Sequence, residues 1–345
     1  LKLLNDLEVI SKTRYWTYND SYFNMWTANG ISAHTSPGNT VLSNSYGMYT
    51  FQGDNEPDLD KNLTAADYAE RIKTRYASLK AVNAKNLISE PAICGTDKIS
   101  FFEDMYKADE NLGDYYDICD VHAYCKTFEG KNNIDDKLSE NAEAYSIPEH
   151  LFAKKQKIDA VLSKYGDSDK DMIFSEIGWT THNDDKNAHI AEKVTKEQQA
   201  NFAARCYLIS ASLGIKNVFL YAFQDEGYED TNSEYQFGIV DWYCNPKPAY
   251  YTYYTLGKLL KNAHFVSRMN ELENPDYGMV FYDEQKDMYL TALWNISGDG
   301  KNISVKSSDG DMKKVDAYGN CETVRSESEI TIGSAPVYIY SHTPV

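Results

Sequence analysis

Residues 50–59 read TFQGDNEPDL, and the interpretation of the whole chain depends on this stretch. A strand-like run of aromatic and polar residues leads directly into three acids, an amide and a proline. One interpretation is an edge strand that enters a turn, because proline ends strand pairing and Asp or Asn favours turns. The other is a barrel strand that presents Glu56 at the rim, where such folds carry out chemistry. A second carboxylate in a matching position is needed to choose between them.

The second carboxylate stands in DMIFSEIGWTT, residues 171–181. An apolar run ends there at Glu176, and Gly178 then turns the chain. Between the two acids, ICDVHAYC reads as a strand that ends in His122 and Tyr124, which alternation places on one side. Because the C-terminal ends of parallel strands converge on one mouth, we expect these side chains to meet.

Strand and helix patterns alternate from residue 46 to about residue 262, which implies a parallel sheet with right-handed crossovers. A closed barrel and a doubly wound sheet both fit this order. A helix at 249–260 closes this part of the chain. The strand candidates are 46–53, 86–94, 118–124, 172–177 and 217–223, and the helix candidates are 65–82, 101–110, 148–164 and 196–213.

The pattern changes after residue 260 to short strands at hairpin spacing, separated by Gly and Asp turns. These segments predict a small antiparallel β-sandwich. We therefore expect two domains: a (β/α) barrel domain over residues 1–262, with its strands four to eight evident from residue 46, and a β-sandwich domain over 263–345.

Residues 1–49 do not fit a complete (β/α)8 TIM barrel, which needs three βα units of about 30 residues each before its fourth strand. Residues 1–16 read as one helix and residues 30–45 as a loop. We therefore expect at most one strand here, and an exposed edge at 46–53 that favours association. The chain starts at Leu1 without Met or a signal segment, so we expect a processed or truncated product.

The net charge of −18 argues against nucleic acid and anionic membranes as partners, and favours a neutral substrate. The sequence contains no apolar run of about 18 residues, so it predicts no membrane-spanning helix. The 28 tyrosines suit sugar faces, although Tyr-rich proteins without sugar ligands are equally common. The six cysteines show no metal-binding spacing. Cys94 and Cys125 fall at the ends of neighbouring predicted strands, where a disulfide and two thiols are both feasible.

Several motifs in these positions resemble those of clan A glycoside hydrolases, the retaining (β/α)8 enzymes. NEPDL resembles their acid/base motif, SEIGW their nucleophile motif and VHAY the His-x-Tyr of their sixth strand. KPAYYTYYTLGKLL resembles their closing helix. The resemblance covers residues 46–345 and is greatest to family 39-like and family 30-like enzymes, which carry a C-terminal sandwich. It does not assign one family.

The resemblance implies a role for each matching residue. Glu56 would be the acid/base, Glu176 the nucleophile and Tyr124 its hydrogen-bond partner, while Asn55 would bind the sugar 2-hydroxyl and His122 would be a subsite residue or a neighbour of the acid/base. His122 and Tyr124 could instead serve packing at the barrel rim. Trp179 would stack on sugar or pack against the loop after strand seven, and either Tyr221 or Phe223 would take the place of the family's eighth-strand aromatic. The family's second and third strands supply an Arg and an aromatic or His, for which the sequence offers candidates outside any predicted strand: Arg14, Trp26 and His34.

The expected function is hydrolysis, with retention, of a β-linked neutral oligosaccharide or polysaccharide, without cofactor or metal. The resemblance also implies a secreted or cell-surface location. A carbohydrate-binding protein or pseudoenzyme is the main alternative, because the first half of the barrel is not evident. A carboxylate-metal hydrolase is disfavoured because no His cluster is present, and Asp54 and Asp58 read as solvated turn acids. The sequence leaves the oligomeric state, the sugar and the linkage open.

Overall fold

The computed structural model describes residues 12–15, 27, 32–95, 99–125, 147–183, 193–272, 275–297, 300–308 and 310–345. These residues form two compact units. The first unit comprises Leu1–Tyr124, Ala153–Ile177 and Ile215–Phe219, and the second comprises Cys125–Phe152, Gly178–Gly214 and Leu220–Val345. The domain boundary predicted at residue 262 stays a prediction.

A seven-stranded sheet carries the strand-end acids, and its strands follow one another in chain order. Each neighbouring pair from the first strand to the sixth runs parallel. The strands predicted at 46–53, 86–94, 118–124 and 172–177 are therefore confirmed as parallel neighbours, and the strand predicted at 217–223 follows them in the sheet order. The strands are β1 (Lys12–Tyr15), β2 (Ser32–Thr35), β3 (Thr50–Gln52), β4 (Leu87–Cys94), β5 (Ile118–His122), β6 (Asp171–Ile177) and β7 (Asn217–Leu220).

The start of the chain differs from the sequence prediction. Two strands, not at most one, precede β3, which pairs with β2 on one side and β4 on the other and is therefore no edge. The helix predicted over 1–16 is wrong where the structure describes it, and the loop predicted over 30–45 contains β2 and a short helix, α1 (Thr40–Ser45). Strands of four residues are too short to show a period, and neighbouring strands supply their hydrogen bonds.

Two of the candidates in this region thus lie in strands after all. Arg14 in β1 pairs in register with His34 in β2. Trp26 lies outside the described residues.

Five longer helices follow the predicted pattern. Thr64 and Thr195 cap two of them by accepting hydrogen bonds from backbone N–H groups, and Gln198 completes a capping box with Thr195. Gly214, with a φ of +71°, ends the helix that Thr195 starts. The helices are α2 (Ala65–Val82), α3 (Ile99–Ala108), α4 (His150–Lys164), α5 (Lys196–Ser212) and α6 (Pro248–Leu260).

The C-terminal segment forms the antiparallel sheets that its hairpin spacing predicted. Six strands form one sheet, and two further strands pair with each other. Buried side chains from both sheets, including Leu293 and Ile339 from one and Val305 and Ile330 from the other, make up one apolar cluster. The strands are β8 (Ala263–Arg268), β9 (Asp276–Asp283), β10 (Met288–Asn295), β11 (Lys301–Lys306), β12 (Met312–Val315), β13 (Cys321–Val324), β14 (Glu327–Ile332) and β15 (Val337–Ser341). The larger sheet has the order β13-β12-β15-β10-β9-β8, and β11 pairs with β14.

Two sequence observations can be compared directly with these elements. None of the six cysteines forms a disulfide, so Cys94 and Cys125 are two thiols. Among the described residues, every helix is too short or too polar to cross a membrane.

Candidate active site

The C-terminal ends of three strands in the first unit bring two acids and a histidine together. His122 is the last residue of β5 and pairs in register with Glu176 on β6. Glu56 stands in the loop after β3. One ligand atom from each of these three side chains lies within 4.8 Å of the other two. The two acids that were predicted to face one another are therefore in a single cluster.

Glu56 is held in an unusual backbone conformation. Its φ of 46° and ψ of 55° lie in the left-handed region, which costs a non-glycine residue about 1–2 kcal/mol. Its N–H donates to the carbonyl of Ala92, 3.1 Å away, and Pro57 begins a 3₁₀ turn directly after it. Nearby, the Cys94 N–H donates to Asp58 Oδ1 at 2.9 Å. Asp58 is thus a structural acceptor in this loop, not merely a solvated turn acid.

His122 lies between the two carboxylates. Its Nδ1 is 2.8 Å from Glu56 Oε1 and 3.7 Å from Glu176 Oε2. Its other ring nitrogen lies 3.5 Å from the side-chain nitrogen of Gln52 on β3. The imidazole is fully buried, whereas the Glu56 and Glu176 side chains are 17% and 15% exposed. The acids can therefore meet a ligand from solvent while His122 holds its place behind them.

Tyr124 fixes one oxygen of Glu176. Its hydroxyl donates to Glu176 Oε1 at 2.6 Å, the short distance expected for an O–H group that donates to a carboxylate. This is the partnership that the clan A resemblance implied. It leaves Glu176 Oε2 on the side of His122.

Cys94 is a neighbour of this cluster that the sequence analysis considered only for a disulfide. It ends β4 and pairs in register with His122. Burial raises the pKa of its thiol, and the nearby Glu56 raises it further. The thiol is thus neutral at physiological pH. The sequence predicted Cys94 at the end of a strand beside β5, and that placement was the signal that it would lie near the acids.

The remaining predicted contact residues occupy different surroundings. Asn55 is exposed beside Glu56. Trp179, in the second unit, is only 3% exposed and packs edge-on against Phe202, with ring centroids 5.9 Å apart. Packing was the alternative that the sequence left open for Trp179. Its role at a subsite stays a prediction.

Two further aromatic candidates, both half-buried, also belong to the second unit. The Tyr221 ring lies 5.1 Å from that of Phe237, centroid to centroid. Phe223 follows two residues later. The roles of Tyr221 and Phe223 as sugar contacts stay predictions.

The same three ligand atoms could hold a divalent cation, because imidazole nitrogen and carboxylate oxygens are donors that Zn²⁺ accepts. This cluster weakens the argument that a metal hydrolase would lack a histidine ligand. The 2.8 Å contact already gives His122 Nδ1 and Glu56 Oε1 a partner without an ion. The expectation of a site without metal stays a prediction.

Comparison with known proteins gives a likeness in structure only. No family model and no curated protein sequence matches the chain. A family 39 glycoside hydrolase from Bacteroides cellulosilyticus WH2 is similar over 98% of this chain and 77% of its own, with a TM-score of 0.71 and 16% sequence identity.

Two other solved structures give the same result at lower identity. The family 51 α-L-arabinofuranosidase AbfB from Bifidobacterium longum matches 98% of this chain and 88% of its own, with a TM-score of 0.66 and 10% identity. A GH30 endoxylanase from Clostridium papyrosolvens C71 matches 97% and 92%, with a TM-score of 0.59 and 10% identity. The chain therefore shares the fold of clan A glycoside hydrolases, and no single family can be assigned.

Proposed function

We propose that this chain is a retaining glycoside hydrolase that cleaves a β-linked neutral glycan. The observation that carries the proposal is the cluster of Glu56, His122 and Glu176, whose ligand atoms lie within 4.8 Å of one another. Retaining enzymes hold their two carboxyl groups about 5–5.5 Å apart, whereas inverting enzymes need about 6.5–9.5 Å to admit a water molecule. One oxygen of Glu56 lies within 4.8 Å of one oxygen of Glu176, so the two acids are close enough for the retaining geometry, which supports the proposal.

The first step would use both acids at once. Glu176 attacks the anomeric carbon and forms a C–O bond to it while the glycosidic C–O bond breaks. Glu56 gives its proton to the departing oxygen, so that the leaving alcohol departs neutral. Tyr124 keeps one oxygen of Glu176 occupied at 2.6 Å, which leaves the other oxygen to attack.

The second step would release the sugar. Glu56, now ionised, takes a proton from water as the water oxygen bonds to the anomeric carbon, and the bond to Glu176 breaks. Two displacements on the same carbon restore its original configuration. His122, 2.8 Å from Glu56, keeps that side chain in place through both steps.

Other parts of the proposal rest on the resemblance and on charge. A neutral glycan suits a chain with a net charge of −18. Asn55 would bind the sugar 2-hydroxyl, and Trp179, Tyr221 and Phe223 would contact sugar faces. We also propose that the seven strands belong to a complete (β/α)8 barrel, as in enzymes of similar fold, and that the protein acts outside the cell.

A panel of aryl glycosides tests the proposal. Because the structural neighbours include an endoxylanase and an arabinofuranosidase, the panel holds xylosides and arabinofuranosides beside hexosides. We expect hydrolysis of at least one β-glycoside, with NMR showing the β-anomer as first product. A 2-deoxy-2-fluoro glycoside should label the peptide that contains Glu176. An inverted product, a label elsewhere, or sugar binding without turnover would overturn the proposal; the last outcome would favour a carbohydrate-binding protein.

A further inference from the structure

A buried charged network lies beneath the loop that carries Glu56. Glu90, on β4, is fully buried. It accepts a hydrogen bond from the Tyr68 hydroxyl at 2.6 Å and a close one from the guanidinium of Arg75. Both donors stand on α2. A second nitrogen of Arg75 donates to Asp54 Oδ1 at 2.6 Å, and Asp54 lies two residues before Glu56.

The loop is also attached to β4 along its length. The Gly53 N–H donates to the Ser89 carbonyl at 3.1 Å, and the Glu56 N–H donates to the Ala92 carbonyl at 3.1 Å. These two carbonyls lie on either side of Glu90 in the sequence. Any movement of β4 at Glu90 would therefore move the backbone of Glu56.

Gly53 shows how closely Glu90 and the loop fit together. A Cβ atom at Gly53 would lie 2.1 Å from Glu90 Oε1, far inside van der Waals contact. The carboxylate of Glu90 thus occupies the space that only glycine leaves open. The end of β3 lies directly against this carboxylate. The position of the Glu90 carboxylate therefore sets where the loop begins.

The presence of a buried charged network is weak evidence that it contributes to stability. Burial raises the pKa of Glu90 to about 7, even though Arg75 and Tyr68 both favour its ionised form. Apolar residues of similar volume would often be neutral or stabilising at such a site. Buried ion pairs instead hold a defined geometry, and here the adjoining loop must keep Glu56 in a left-handed conformation.

We propose that Glu90, Arg75 and Tyr68 are positioning residues for Glu56. They hold the loop of residues 53–58 on β4, which keeps the Glu56 carboxyl on His122 and beside Glu176. The inference rests on the proposed function, because it assigns the network to the acid/base of that reaction. Loss of the network should impair proton transfer to the leaving group, not the attack by Glu176.

The test compares two tyrosine-to-phenylalanine variants. Tyr68→Phe removes the bond to Glu90, whereas the control Tyr106→Phe removes a contact with the Tyr116 hydroxyl and a partly buried bond of 2.7 Å to Asp167. For Tyr68→Phe we expect kcat/KM, which reports the first step alone, to fall on the order of 10- to 100-fold on glycosides with poor leaving groups, which need the acid. On dinitrophenyl glycosides, whose leaving groups need no proton, kcat/KM should change by less than about threefold. Tyr106→Phe should leave this leaving-group dependence as in the wild type.

Three outcomes would overturn the inference. They are an equal loss on both classes of substrate, no loss on either, or the same selective loss in Tyr106→Phe. Glu90→Gln, which keeps the shape and removes the charge, is the second variant in case Tyr68→Phe does not fold, and it should show the same selective loss.

Amide hydrogen exchange separates this inference from the proposed function. If the wild-type protein hydrolyses no glycoside, the proposed function fails. The network is then judged by exchange at Gly53 and Glu56, whose N–H groups bond to β4. Exchange there should be faster in Tyr68→Phe than in Tyr106→Phe, and equal exchange would overturn the positioning role.

Discussion

Two clusters of buried or partly buried carboxylates, one in each compact unit, differ in their access to solvent. In the first unit, Glu56 and Glu176 are 17% and 15% exposed at the strand ends. In the second unit, the Glu149 side chain is 1% exposed. Its two oxygens accept hydrogen bonds from Arg205 and from the indole N–H of Trp294, each at 2.8 Å.

The difference distinguishes an acid with a structural role from the two acids that we propose to be reactive. Each oxygen of Glu149 faces a fixed N–H donor, and its charge is matched by one buried guanidinium, so the cluster is complete without a ligand. At the strand ends, two acids share one imidazole and remain open to solvent. Two partly exposed acids in contact with a buried imidazole are candidates for proton transfer, which is the role that we propose for Glu56.

The largest expected effect is on Glu176. Glu176→Gln should lower kcat/KM on the order of 10⁵-fold, because the amide cannot form the glycosyl-enzyme. The melting temperature should change little, since the Glu176 side chain is partly exposed to solvent and Gln has nearly the same shape. Kinetics on aryl β-glycosides and thermal melts measure both. Turnover near that of the wild type would make the nucleophile assignment wrong.

Glu56→Gln should have a smaller effect that depends on the leaving group. Loss of a general acid costs about 10²–10⁴-fold, and we expect this cost for the first step on poor leaving groups only. On activated substrates, azide should restore turnover, because it attacks the glycosyl-enzyme without a base. Failure of azide to rescue a folded variant on those substrates would contradict the acid/base role.

The Glu149 cluster should respond to mutation in the opposite way. Arg205→Met leaves a buried charge without its partner and should destabilise the fold by about 3–5 kcal/mol. The kcat of the remaining folded protein should stay unchanged. The matched double variant Arg205→Met, Glu149→Leu should recover much of the loss. Urea unfolding measures the free energies, and a cost below about 1 kcal/mol for the single variant would remove the contrast.

The smallest effect concerns the pH dependence of stability. Burial raises the folded-state pKa of Glu90 to about 7, above its ordinary value of 4.5. Between these two values the folded chain holds a proton on Glu90 that the unfolded chain releases. The stability that this proton contributes is complete below about pH 4.5 and is lost as pH rises through about 7. Melting temperatures across this window should fall less steeply for Glu90→Gln than for the wild type. Equal slopes of melting temperature against pH in the two proteins would contradict the assignment of this pH dependence to Glu90.

Local pattern predicted much of the fold. The helix over Ala65–Val82 and the capping of Thr195 follow from sequence signals that act within a few residues. The strand-end placement of Glu56 and Glu176 also followed from the sequence, because each acid comes at or just after the end of a strand-like run. Their assembly into one cluster depends on how the sheet curves, because β4 and β5 lie between β3 and β6.

Other features depend on partners distant in the sequence. β1 and β2 have four residues each and are defined by pairing, which the sequence of neither strand reveals. Asp54 reads as a solvated turn acid, yet it bonds to Arg75, 21 positions away. Nothing near Asp54 indicates that partner.

The sequence by itself thus determined the alternation of strands and helices and the identity of the two acids, because these depend on hydrophobic period and on neighbouring residues. Only the tertiary structure decided how Glu56 is held. Glu56 has a left-handed backbone, Gly53 packs against Glu90, and Arg75 links Glu90 to Asp54. These features depend on residues of β3, β4 and α2 that come together only in the folded protein. Burial of such charges is tolerated only when all of their partners arrive together, so no short stretch of sequence encodes it.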